Sequence, residues 1–179
     1  MLVDRMIRAA RLDTTLYEEV ERDLAATTQA LWVVIIVSLA SGFGGALGAI
    51  VAGVPGQALS GLLGGVVAGF IGWILWSFVT YWIGTTIFRG VATVGELLRT
   101  IGFAYTPNIL GFFGFIPCLG GVIVLIGAVW SLVAGVIAIR QALDFDTGRA
   151  IATGVIGWLV IVVISAVLAI LGWGFSAAF

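Results

Sequence analysis

The charged side chains of this 179-residue chain are confined to three short blocks, and long apolar stretches separate them. The blocks cover residues 4–23, 89–99 and 140–149, and they contain all eight basic and all nine acidic residues. A helix needs about 20 mostly apolar residues to cross a bilayer, and each stretch outside the blocks is at least that long. The pattern predicts an all-α polytopic membrane protein.

The composition excludes several other classes of protein. The chain is 61% hydrophobic and only 9% charged, which is outside the range of an ordinary soluble domain. It has no basic patch beyond the arginines of the three blocks, so a nucleic-acid partner is not expected. Histidine is absent and Cys118 is the only cysteine, so the sequence predicts no disulfide, no metal site and no bound cofactor.

Five segments are predicted to cross the membrane: residues 29–53, 58–88, 101–115, 118–139 and 150–173. With five crossings all eight arginines lie on one side, which the positive-inside rule assigns to the cytoplasm. The third segment is short and contains Pro107, which lacks a backbone donor. A segment that turned back there would place Arg140 and Arg149 opposite the other six arginines, so a complete span is expected. The N-terminus is then cytoplasmic and the C-terminus outside.

Residues 1–28 are predicted to form a cytoplasmic segment that precedes the five-helix domain of residues 29–179. Its first helix is amphipathic, with an apolar face formed by Leu2, Val3, Met6, Ile7 and Ala10. This face can lie at the headgroup level of the bilayer or pack against the protein's own loops. Thr15 and Glu18 have the spacing of a capping box and predict a second helix. Its acidic cluster is expected to be solvated, with partner binding as the alternative; the cluster comprises Glu18, Glu19, Glu21 and Asp23.

Glycines four residues apart mark the faces at which membrane helices approach each other closely. Gly44 and Gly48 have this spacing on the first span, and Gly61, Gly65 and Gly69 have it on the second. We expect these two spans to pack against each other through these residues, with a homo-oligomer interface as the alternative.

None of the predicted spans carries an ionisable residue in its middle. Ion-coupled transport and intramembrane catalysis usually require such a residue, which is costly in the bilayer and is found there when function demands it. The serines and threonines of the spans also have no histidine, lysine or carboxylate nearby in the sequence to act as a base. We therefore predict no catalytic residue and no enzyme activity.

The candidate interaction residues lie at the predicted cytoplasmic face. Glu96 and Arg99 are one helical turn apart and are expected to form an ion pair. Pro107 frees a backbone carbonyl one turn back, and Asn108 is placed to satisfy backbone groups at that break. In the alternative, Tyr105, Pro107 and Asn108 line a cleft for a lipid or a peptide.

The third charged block adds four further candidates. Asp144 is expected to pair with Arg140, and Asp146 or Thr147 is expected to cap the fifth span. Arg149 follows in the first turn of that helix. Two aspartates with arginines beside them favour capping over a divalent cation site, which needs more oxygen ligands.

Three stretches carry a resemblance to a known family: RLDTTLYEEVERD at residues 11–23, ELLRTIGFAYTP at residues 96–107 and RQALDFDTGRA at residues 140–150. Together with the five-span layout, they resemble prokaryotic members of the Yip1 family. The resemblance implies five membrane helices with a cytoplasmic N-terminus. Eukaryotic relatives are implicated in vesicle trafficking, Rab-type GTPase binding and membrane shaping, and they associate with themselves and one another. Their cytoplasmic motif Asp-Leu-Tyr-Gly-Pro is absent here, so no functional residue is carried over.

These observations predict a non-enzymatic organiser or adaptor of a prokaryotic cell membrane. Such a protein would associate with itself, with another membrane protein or with membrane lipid at its cytoplasmic face. The alternative is a channel or carrier for a small neutral or lipid solute. That alternative requires a continuous polar cavity between the second, third and fourth spans.

Overall fold

The computed structural model describes residues 1–170, without the side chains of residues 165 and 168–170. The helices are α1 (Leu2–Ala10), α2 (Thr14–Arg22), α3 (Ala26–Val51), α4 (Ala58–Thr86), α5 (Val94–Ala104), α6 (Gly120–Ala142) and α7 (Thr147–Ile170). A 3₁₀ segment, Thr106–Phe115, joins α5 to α6, and no strand occurs in this part of the chain. The predicted all-α polytopic fold is confirmed. The end of the fifth predicted span, residues 171–173, lies outside the described residues.

Among the described residues, four helical stretches are long and apolar enough to cross a membrane. They are Ala26–Val51, Pro55–Thr86 (a 3₁₀ turn, Pro55–Gln57, followed by α4), Gly120–Ala142 and Thr147–Ile164, the last being the first part of α7. Large apolar side chains on these helices are exposed, including Leu47, Leu63 and Leu125, as expected of surfaces that face lipid tails. The short turn between α3 and α4 uses Gly53 at φ 78°, a left-handed conformation that glycine adopts without strain.

The third predicted span, residues 101–115, is not a single transmembrane helix, so that part of the prediction is wrong. Pro107 cannot donate a hydrogen bond, and the backbone tightens after α5. The Asn108 N–H donates to the carbonyl of Tyr105, three residues back, at 3.0 Å. The tighter 3₁₀ geometry then continues to Phe115.

The α5 helix and the 3₁₀ segment nevertheless run along α3 instead of turning back. Gly102 lies against Ala30, and Phe115 lies against Gly48. Between these points, the Ser41 hydroxyl donates to a backbone carbonyl of the 3₁₀ segment. At about 1.5 Å per α-helical residue and 2.0 Å per 3₁₀ residue, residues 101–115 extend about 28 Å, close to the roughly 30 Å thickness of a hydrocarbon core.

The carbonyls freed by the helix break are satisfied by side-chain hydroxyls. The Thr106 hydroxyl donates to the carbonyl of Phe103 at 2.7 Å, and the Ser131 hydroxyl of α6 donates to that of Ala104 at 2.8 Å. The Asn108 amide donates to the Ser131 oxygen at 3.0 Å. Asn108 thus acts on the helix break indirectly, by bonding the Ser131 side chain that satisfies the Ala104 carbonyl. The same serine links α6 to the end of α5.

α3 is packed between two partners through glycines on opposite faces. A Cβ at Gly44 would overlap the backbone of the 3₁₀ segment, whereas Gly42 lies against Leu62 and Gly65 of α4. Residues two apart on a helix point roughly 200° apart, so Gly42 and Gly44 serve different neighbours. The prediction that Gly44 and Gly48 join α3 to α4 is therefore wrong.

Two of the three predicted packing glycines of α4 contact α3. Gly65 approaches Gly42, and Gly69 lies against Ser38, so both contribute to the contact with α3. Gly61 has open space where a Cβ would be placed and makes no such contact among the described residues.

The two N-terminal helices share one hydrophobic core with the spans at the charged end of the bundle. Leu16, Tyr17 and Val20 of α2 are completely buried in a cluster that also contains Val33 of α3 and Phe103 of α5. The burial of α2 in this cluster holds the acidic residues of that helix beside the ends of α5 and α6.

We predict that Gly44→Ala destabilises the protein by roughly 1 to 3 kcal/mol, because the added methyl overlaps the carbonyl oxygens of Gly111 and Phe112. Gly45→Ala is the matched control, since nothing lies within 4 Å of a Cβ at that position. Alanine is favoured over glycine inside a helix, so the control should be neutral or stabilising. Thermal unfolding of the detergent-solubilised variants, followed by circular dichroism, measures both effects. Equal loss in the two variants would contradict this packing.

Candidate interaction surface

Arg5 and Arg8 of α1 form an ion-pair cluster with three carboxylates of α2 and its two ends. Arg5 contacts Glu19 at 2.6 Å and Asp23 at 2.9 Å, while Arg8 contacts Glu19 at 2.7 Å and Asp13 at 2.9 Å. Glu19 remains exposed, as predicted for a solvated acidic face, while its carboxylate also pairs with both arginines. The cluster links α1 to α2 through two arginines and three carboxylates.

Two of the helices that start at this end, α2 and α5, use a side-chain cap. The Asp13 carboxylate caps α2 by accepting from the Thr15 N–H at 3.0 Å, so the predicted capping box of Thr15 and Glu18 is wrong. A capping box does start α5. Thr93 accepts from the Glu96 N–H at 3.3 Å, and the Glu96 carboxylate accepts from the Thr93 N–H at 2.7 Å.

Arg99 is buried, with 4% of its surface exposed, and it joins α5 to the C-terminal end of α2. Its guanidinium donates to the carbonyls of Val20, at 3.0 Å, and of Glu21, and to the Thr27 hydroxyl at 3.4 Å. A cation at the C-terminal end of a helix is favoured by the helix dipole and by the free carbonyls there. The predicted ion pair between Glu96 and Arg99 is wrong, because each side chain has another partner.

A polar pocket opens beside this junction, between α2 and the end of α6. It is lined by Glu18, Glu21, Arg22, Arg140, Gln141, Asp144 and Phe145. Gln141 connects its two sides by donating to Glu18 at 2.8 Å and accepting from Arg140 at 3.1 Å. Within residues 1–170, none of the charged residues of the pocket has an ion-pair partner within 4.0 Å.

Burial raises the pKa of Glu21, and the nearby carboxylates of Asp144 and Glu96 raise it further. Asp144 lies just after α6 with a positive φ of 51°, which aspartate tolerates better than most residues. The polar pocket thus combines incompletely compensated negative charge with two guanidinium groups, of Arg22 and Arg140, that form no ion pair within residues 1–170. That arrangement suits binding of a charged or hydrogen-bonding group more than it suits stability of the protein alone.

The structure brings some of the predicted site residues together and separates others. Arg140 and Asp144 line the polar pocket, but the predicted ion pair between them does not form. Asp146 accepts from the Arg149 N–H at 3.0 Å and pairs with its guanidinium at 3.3 Å, so Asp146 is the cap of α7. These two residues lie outside the pocket.

The remaining candidates belong to the helix break. Tyr105, Pro107 and Asn108 do not line the polar pocket. Arg22 also lines the pocket, but its position in the sequence indicates only an exposed helix end. The sequence does carry a signal for Glu18 and Glu21. The buried stripe of α2 leaves these two residues on the flanks of that helix.

The fold and this charged end define a multi-pass all-α membrane protein whose N-terminal helices pack on one end of the bundle. The model of the Yip1 domain matches residues 16–175, and the chain belongs to the Yip1 family. No curated protein and no solved structure matches the chain. The matched region begins within α2, so α1 precedes it.

We predict that Arg99→Met destabilises the protein by roughly 1 to 3 kcal/mol, because the carbonyls of Val20 and Glu21 lose their buried donor. Arg22→Met is the control, since that side chain is exposed and surface substitutions usually change stability by less than about 0.5 kcal/mol. Thermal unfolding in detergent compares the two variants. Equal melting temperatures would show that the buried guanidinium does not hold α5 to α2.

We predict that α1 loosens from the bundle as the pH falls. The Thr15 and Arg8 hydrogen bonds lower the pKa of Asp13 to about 2, and the arginines of α1 lower the pKa of Glu19 and Asp23. A carboxylate with a lowered pKa stabilises the folded state fully above its unfolded pKa, here above about pH 5, and loses that effect as the pH falls toward about 2.

Hydrogen-exchange protection factors of the α1 amides, compared at neutral pH and at about pH 3, measure this change. Glu19→Gln removes the shared carboxylate and should show lower protection at neutral pH with a weaker dependence on pH. Protection of α1 that stays constant over this range in the unsubstituted chain would contradict the role of the ion pairs.

Proposed function

We propose that this protein is a non-enzymatic adaptor of a prokaryotic cell membrane, which binds another membrane protein or a second copy of itself through the polar pocket. One observation carries the proposal. The charges between α1 and α2 are paired with each other, whereas those of the polar pocket have no ion-pair partner within residues 1–170. A partner with complementary groups would supply the missing interactions.

The proposal places the charged end in the cytoplasm. The charged blocks lie at the start of α3, between α4 and α5, and between α6 and α7, which is the end of the bundle that carries α1 and α2. The positive-inside rule then supports a cytoplasmic N-terminus and an outer C-terminus. A partner in the proposed complex would approach from the cytoplasmic side.

The mixture of charges in the polar pocket is compatible with self-association. An interface with two-fold symmetry presents the same patch on both subunits, so the patch must be complementary to itself. Glu18, Glu21 and Asp144 of one copy have Arg22 and Arg140 of another as possible partners. Another protein with interspersed acidic and basic residues would satisfy the same groups.

The packing of the bundle favours an adaptor over a channel or carrier. The carrier hypothesis needs a polar cavity between α4, the third segment and α6. Instead, α6 approaches the third segment at Gly127, which lies against Pro107 and Leu110, and at Gly120, which lies against Gly114. Backbone contacts at these glycines support a close-packed bundle.

A photo-crosslinking amino acid at position 144, in native membranes, tests the proposal. We expect a discrete crosslinked product from position 144 and little from position 146, the control aspartate two residues away and outside the pocket. Arg140→Glu should lower the yield several-fold by placing a like charge among the pocket carboxylates, whereas Arg149→Glu should not. The same product from positions 144 and 146, or no product from either, would contradict the proposal.

A further inference from the structure

α1 has an apolar face that the described chain leaves uncovered. Val3 is 66% exposed and Ile7 is 48% exposed, although both are large apolar side chains. Ala10, one turn further on, is partly exposed on the same side. None of these three side chains belongs to the cluster that buries Met6 and Ala9.

The other sides of α1 are occupied, and this fixes how the helix is oriented. Met6 and Ala9 face the hydrophobic core, while Arg5 and Arg8 face the carboxylates of α2. At 100° per residue, the side with Val3 and Ile7 lies roughly opposite the side with the two arginines. α1 therefore has a core side, a charged side toward α2 and an apolar side directed away from α2.

The position of α1 along the bundle matches the membrane surface. Arg5 donates to Gln29, in the first turn of the membrane span α3, at 3.0 Å. α1 also packs against α5 and against the start of the 3₁₀ segment. Gly102, near the end of α5, lies beside Ala30. Trp32, two residues further along α3, has an exposed indole, a side chain enriched at membrane interfaces.

We infer that α1 is an interfacial anchor whose apolar side, formed by Val3, Ile7 and Ala10, lies in the boundary between lipid headgroups and acyl chains. The occupant of this face is the bilayer itself, because Arg5 holds α1 beside the first turn of α3, and the next turns of that span expose Trp32 and Ile36. The inference does not depend on the proposed adaptor function or on the family assignment, since α1 precedes the matched residues.

The ion pairs give this anchor an unusual property. Basic amphipathic helices commonly bind membranes through arginine and anionic lipid together. Here Arg5 and Arg8 are already paired with Glu19, Asp13 and Asp23. Insertion of the apolar side should therefore not require anionic lipid.

Spin labels on single cysteines in the full chain test the inference. Cys118→Ser removes the only native cysteine, and Val3→Cys and Ile7→Cys place labels on the apolar side. Asp4→Cys is the control on the same helix, since Asp4 is exposed and outside the ion-pair cluster. The proteins are reconstituted into vesicles of phosphatidylcholine alone and of phosphatidylcholine mixed with phosphatidylglycerol.

We expect labels at positions 3 and 7 to collide several-fold more often with oxygen, relative to a water-soluble nickel chelate, than the label at position 4. The preference should be the same in both types of vesicle. Equal access of the nickel chelate to all three labels would place the face in water and overturn the inference. Protection from both reagents would show that a protein covers the face, and a preference that needs phosphatidylglycerol would show attachment by charge. Either result would also overturn it.

Discussion

The structure depends on satisfying backbone carbonyls where the third segment changes from α-helical to 3₁₀ geometry. Phe103 and Ala104 are buried in the bundle, so protein groups must bond their carbonyls in place of water. The hydroxyls of Thr106 and Ser131 meet this need, and Ser131 lies on α6. The break is therefore stable only when α6 is in place, and glycines at the contacts let the 3₁₀ segment lie close enough to α3 and α6.

The charged end follows from the same segment, because α5 leads from the membrane surface into the break. Arg99 on α5 holds the end of α2, and α2 in turn holds α1 through paired charges. Two groups of charges stand out: those that fix the N-terminal helices, and those of the polar pocket, which have no ion-pair partner within the described residues. The second group is the one that the proposed complex would use.

The fold class was predictable from the sequence because the hydropathy of a membrane span is an average over about 20 residues and tolerates local exceptions. The partners of single side chains were harder to predict. Glu96 has both a cap partner at Thr93 and a cation at Arg99 within one turn, and spacing alone does not choose between them. Arg99 bonds to carbonyls of α2, a tertiary contact with no local signal. Gly42 contacts α4 and Gly44 contacts the 3₁₀ segment. The sequence does not predict this difference, because it depends on how α3 is rotated about its own axis.

The polar pocket is built from two parts of the chain that are far apart in sequence, residues 18–22 and residues 140–145. During synthesis, the first part is made long before the second. The pocket therefore does not exist until α6 has been inserted and packed beside α2. A partner that recognises both sides of the pocket would bind an assembled bundle and not an incomplete one. Such binding would begin only after the fourth membrane crossing has been inserted.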